Sequence, residues 1–221
     1  GGGRGRPGYQ VCLRGFASSF LGVANSALGD HGIIQAGTLQ VWMNNDTMQA
    51  LTFWKTVTMD HSGLLERFIA VLKDNQVQYC VIDGQGVNAY VEPLVSLDLD
   101  LVIAAEQLDQ VEALLEAGGF QLKRFAHSLN VTLADSSLRL QIQTDPRYAT
   151  FPQRATSRQV LGLTLPVAAV PDILKGKVWA FQDPARRGSK RQKDLADIAR
   201  LLERFPELRG EVPEDVLGRL V

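Results

Sequence analysis

The chain has 221 residues, 45% of them hydrophobic and 21% charged, with a formal net charge of −1. That length suits one globular unit with an appendage, and the charge balance excludes a polycation, so any affinity for nucleic acid must come from a local patch. Two distant cysteines, Cys12 and Cys80, are too few for a disulfide framework or a metal knuckle, which points to a reducing, cytoplasmic setting, and no run reaches the roughly 18 to 20 apolar residues of a membrane span.

Composition changes near residue 58. Residues 1–58 carry four Lys/Arg and two Asp/Glu, against 19 and 22 in 59–221, and half of the 20 glycines lie in the first part. The opening GGGRGRPG reads as flexible and lacks the spacing of a phosphate-binding loop. Arg14 interrupts a faint signal-peptide pattern. Residues 1–58 are therefore expected to be a poorly ordered or dispensable extension, with Met59 a natural start for the folded unit.

From Asp60 the pattern becomes regular. Leu64, Leu65, Phe68, Ile69 and Leu72 recur at helical spacing, with Asp60 or Ser62 as cap candidates. VQYCVID (77–83) predicts a strand broken by GQG at 84–86, and VNAY a helical turn. SLDLDLVIA (96–104) is a second strand. A helix over 106–117 stops at Gly118-Gly119. Strands follow at 120–125, 129–133 and 138–144, and 159–168 is extended. Pro171 opens a helix to about Phe181, a further helix covers about 190–204, and Pro213 opens a short last one. This order predicts an α+β (mixed α/β) architecture: a mixed sheet flanked by helices in 59–168, with a helical segment over 169–221 packed on it.

The informative stretch is SLDLDLVI. On a strand, Asp98 and Asp100 share one face while Leu97, Leu99, Leu101 and Ile103 share the other. An amphipathic strand explains that pattern, yet Val102 continues the acidic face, and two like charges about 7 Å apart repel without a cation. Ending twelve positions before Asp98, the glycines of IDGQGVNAY let backbone amides approach an anion at an expected helix start.

A glycine turn followed at this distance by Asp-x-Asp resembles the signature of nucleotidyltransferases of the DNA polymerase beta-like superfamily, most like the AbiEii/AbiGii-type toxin nucleotidyltransferases. In this chain Gln85 splits the glycine pair, and Ser96 takes the place of a threonine. PDILKGKVWA (171–180) and SKRQKDLADIARLL (189–202) match the subgroup's later motifs through Lys177, Lys193, Asp194 and Asp197. The likeness covers about residues 62–204. It implies a nucleotidyltransferase-like fold and transfer of NMP from an NTP to RNA, tRNA or a protein, with an antitoxin as partner. It implies Mg²⁺ or Mn²⁺ on Asp98, Asp100 and a third carboxylate. Gln141 and Gln143 stand where that carboxylate is first sought; Asp145 shares their strand parity and is the candidate, its alternative being a turn cap before Pro146. Gly84, Gly86, Ser96 and Lys177 would hold the nucleotide. Arg186, Arg187, Lys190, Arg191 and Lys193 would bind a phosphate-rich acceptor, or form a solvated face that pairs with Asp194 and Asp197. A small-molecule acceptor and a catalytically degenerate binding module are the rival readings.

Overall fold

The structure, a computed structural model, describes Thr52, Lys55 and residues 63–220 apart from 97, 135, 137 and 139. The expected extension over 1–58, its boundary and the cap candidates Asp60 and Ser62 lie outside the described residues, Thr52 and Lys55 excepted.

Helix α1 (Leu64–Asp74) buries Leu64, Leu65, Phe68, Ile69 and Leu72, the stripe read from the sequence. Strand β1 (Tyr79–Ile82) is buried along its whole length. It runs directly into a six-residue helix, α2 (Asp83–Asn88), which contains both glycines that the sequence placed in a turn. Strand β2 (Leu99–Ile103), helix α3 (Leu108–Ala117) and strands β3 (Gln121–Arg124), β4 (Ser128–Thr132) and β5 (Leu140–Gln143) follow.

The stretch expected as one extended segment over 159–168 is instead a hairpin of β6 (Thr156–Val160) and β7 (Leu163–Val167). Its two loop residues, Leu161 and Gly162, both have positive φ, 51° and 79°. That is the backbone a tight two-residue hairpin needs to match strand twist. Helices α4 (Val170–Gln182), α5 (Gly188–Arg204) and α6 (Glu214–Leu217) complete the chain.

The seven strands form one mixed sheet in the order β3-β4-β5-β2-β1-β7-β6. β2 lies antiparallel to β1, with Ile82 opposite Asp100, and parallel to β5, with Asp100 opposite Gln141. Consecutive residues of β1 and β2 are buried, so helices cover both faces at the centre of the sheet. One apolar cluster joins α1, the central strands, α4 and α5. The fold is the mixed sheet flanked by helices that the sequence predicted. Among the described residues, no helix is long and apolar enough to cross a membrane.

Candidate functional site

β1 and β2 run in opposite directions, so the end of one meets the start of the other. Asp83 therefore comes beside Asp98 and Asp100 at one end of the sheet. A cleft of about 230 Å³ opens there, lined by Asp83, Ser96, Asp98, Asp100, Gln141, Arg186, Lys190, Lys193 and Asp194. Asp98 stands just before β2, and its side chain is half exposed, with Lys190 Nζ at 3.9 Å. Asp100 is more confined. Burial, then the charges of Asp83 and Asp98, push its carboxyl up to about 8.

The basic side of the cleft comes from the α4–α5 connection and from α5. Arg186 precedes the helix, and Lys190 and Lys193 sit three apart on it and so share a face. The same stripe continues into Asp194 and Asp197, which are buried. α5 thus offers lysines and Asp194 at the cleft, with Asp197 buried behind them.

Lys177 lies under the floor, only 2% exposed. Its Nζ is 3.2 Å from Asp194 Oδ1 and 2.9 Å from Asp197 Oδ2, and it also donates to Asp83 Oδ1. Burial opposes its charge, but the three carboxylates more than offset this and raise its pKa. Arg186 clamps Asp194 through two contacts of 2.5 and 3.1 Å, and Arg200 reaches Asp197 at 2.8 Å. Three cations thus meet three carboxylates, a neutral cluster that a dry interior tolerates. Oxygens of Asp83, Asp194 and Asp197 converge within 4.8 Å, as a metal's ligands would. The cation among them is the Lys177 ammonium. For Asp83, burial works against ionisation, and Lys177, Arg186 and Lys193 overcome it to hold the carboxyl below its ordinary value.

The two glycines have different surroundings. A Cβ on Gly84 would come 2.8 Å from Ser96 Oγ, so Gly84 lets α2 sit against the cleft wall. A Cβ on Gly86 would meet Ile173 Cδ1 at 3.1 Å, which makes Gly86 a packing position between α2 and α4. Gln85, between them, is buried and donates to the Ser96 carbonyl at 2.7 Å. Neither glycine has positive φ. The left-handed residue at this junction is Asp83, at φ 53°.

The remaining sequence candidates divide. Asp145 does not line the cleft. It caps a short 3-10 turn over Pro146–Tyr148 and grips Arg147 through both carboxylate oxygens; that hydrogen bonding holds its pKa down. Parallel pairing is the reason. Gln141 stands opposite Asp100, and four further residues carry the chain about 13 Å along the strand before Asp145 is reached. Gln143 is occupied in accepting from the amides of Thr144 and Asp145. Arg191 donates to the Phe181 carbonyl at 2.8 Å and lies over the Phe181 ring, while Arg187 is exposed at the start of α5. Sequence reasoning overlooked Asp83 and Gln85; the signal for Asp83 was an aspartate immediately before a glycine at a strand-to-helix junction.

No protein-family model matches the chain, and no curated protein matches it. Among solved structures, the solution structure of the antibiotic-resistance factor ANT(2'')-Ia aligns with a TM-score of 0.51 at 15% identity, over 70% of this chain and 91% of that one. A crystal structure of ANT(2'')-Ia with adenylyl-2''-tobramycin gives 0.49 at 16%, over 72% and 97%. The lincosamide antibiotic adenylyltransferase LnuA, lincomycin-bound, gives 0.44 at 13%, over 62% and 95%. At these identities the likeness is one of architecture: the chain has the nucleotidyltransferase fold.

Proposed function

We propose that this protein is a nucleotidyltransferase that moves NMP from an NTP to an acceptor hydroxyl. One observation carries the reading: the cleft sets Asp98 and Asp100 directly against Arg186, Lys190 and Lys193. Carboxylates alone would repel a triphosphate, and cations alone would not hold a metal ion. A cleft with both suits a metal–triphosphate complex. The donor set fits Mg²⁺ or Mn²⁺, since it consists of hard oxygens, and crowding that lifts the Asp100 carboxyl to about 8 is what a divalent cation relieves.

Asp98 and Asp100 would hold the ion, which when bound acidifies the attacking hydroxyl and offsets charge on the leaving pyrophosphate. Arg186, Lys190 and Lys193 bind triphosphate oxygens. Gly84 lets Ser96 pack tightly against α2, and Ser96 in turn lines the cleft where the phosphates would lie. Lys177 acts on the nucleotide only through the carboxylates it holds. The acceptor oxygen bonds to the α-phosphorus as the bond to the β-phosphate oxygen breaks. Pyrophosphate departs, and the hydroxyl proton passes to solvent.

Motif order favours RNA, tRNA or a protein as acceptor, as in the AbiEii/AbiGii-type toxins, and exposed Arg187 extends the basic rim for a phosphate backbone. The second reading is a binding module without turnover. It is favoured by Gln141, an uncharged side chain in register with Asp100.

The deciding experiment offers each labelled NTP with Mg²⁺ to total RNA, to a protein extract and to a panel of aminoglycosides, beside the Asp98→Ala/Asp100→Ala variant. Label transfer lost in the variant is the expected result, and the arm that takes label names the acceptor. Transfer that persists in the variant would overturn the site; NTP binding without transfer in any arm would establish the module.

A further inference from the structure

We infer that Asp83, rather than Asp145, supplies the third carboxylate to the cation assigned above to Asp98 and Asp100. The inference rests on that reading of the cleft and concerns which of the chain's own residues complete it.

Four observations converge. The first is topological. A third ligand must come from a chain segment that ends where β2 begins, and antiparallel β1 does so: its last pair sets Ile82 opposite Asp100, and Asp83 is next. The second is conformational. Strand alternation would turn Asp83 to the face opposite Ile82 and Asp100, but φ 53° breaks the alternation, and its side chain reaches the cleft wall. Left-handed backbone favours glycine over a residue that carries a Cβ. The aspartate there supplies a carboxylate that both pairs with Lys177 and lines the cleft.

The third observation concerns the two oxygens of Asp83. Oδ1 is tied to Lys177 from below, no hydrogen bond reaches Oδ2 among the described residues, and the side chain keeps 31% exposure. Lys177 thus acts as a positioning residue that holds the Asp83 carboxylate at the cleft wall. The fourth is the state of the alternatives. Gln141 occupies the place opposite Asp100 without a charge, and Asp145 is committed to Arg147.

The test uses Mn²⁺ alone, titrated into the purified chain and followed by loss of the free-ion EPR signal. Asp83→Asn, which tolerates the left-handed backbone, is expected to weaken Mn²⁺ binding at least tenfold, with Asp145→Asn binding as the parent does. Because Asp83→Asn removes one partner of Lys177, the double variant Asp83→Asn/Lys177→Met is measured beside it. That variant leaves Arg186 and Arg200 against Asp194 and Asp197, and the same tenfold loss is expected. Parental Mn²⁺ affinity in the Asp83 variants, together with loss in Asp98→Ala/Asp100→Ala, would overturn this inference and leave the cation site standing. Parental affinity in Asp98→Ala/Asp100→Ala would overturn both.

Discussion

Asp100 sits where strand geometry and electrostatics disagree. The sheet holds it among buried neighbours, and two other carboxylates face it, so its proton is retained up to about 8. For an acid with a raised folded pKa, the folded chain binds more protons than the unfolded one between the ordinary value, near 3.8, and the raised one. Stability therefore falls as pH rises through that window. Without divalent cations, the unfolding free energy from urea titration is expected to be lower at pH 8 than at pH 5. Asp100→Asn should flatten this slope, and an unchanged slope in the variant would show that another group sets it. Added Mg²⁺ should recover stability at pH 8 in the parent chain and not in the variant.

Elements meet at the cleft by their ends, and their terminal residues decide how closely. Two glycines in first helical turns make the contrast. Gly84, in α2, faces Ser96 Oγ at a distance no Cβ can share, while Gly188, at the start of α5, has open space around it. Gly84→Ala is expected to cost about 1–3 kcal/mol through overpacking and to disturb Ser96. Gly188→Ala should stabilise by about 0.4–1 kcal/mol by restricting the unfolded chain. Chemical denaturation of both variants checks the opposite signs. The junction also shows what local pattern conceals. GQG reads as a turn because glycines usually make one, yet close packing against Ser96 and Ile173 is what these glycines serve here, and the left-handed backbone belongs to the aspartate before them.

At the scale of the molecule, Lys177 joins segments far apart in sequence: the β1–α2 junction through Asp83, and α5 through Asp194 and Asp197. Removing one partner from a buried ionic cluster strands the rest. Lys177→Met is therefore expected to lower stability by about 3–5 kcal/mol. A base with a raised folded pKa contributes fully below its ordinary value, near 10.5, and loses that contribution only at more alkaline pH. The deficit of Lys177→Met measured by urea titration should thus be the same at pH 6 and pH 9. A deficit that vanishes at pH 9 would mean the ammonium is not the group responsible.

Much of this organisation was legible in the chain. The heptad-like stripe of α1 and the apolar runs of β1 and β2 identify themselves by period, and Asp98 and Asp100 stand out because they break a hydrophobic strand. The fate of Lys177 was not legible, since its partners lie 94 residues before it and 17 and 20 after it. Asp145 shows the other limit. Strand parity names a face, but only the parallel register of β5 with β2 reveals which end of the sheet a residue occupies.

The strand order has a consequence for how the protein meets its neighbours. Among the described residues the sheet ends in β3 and β6, which carry Lys123 and Arg124 on one side and Arg158 on the other, all exposed. An incoming strand that paired with either edge would have to lay its backbone beside those cations and strip them of water. Among the described residues, both outermost strands are thus guarded against the accretion of further strands.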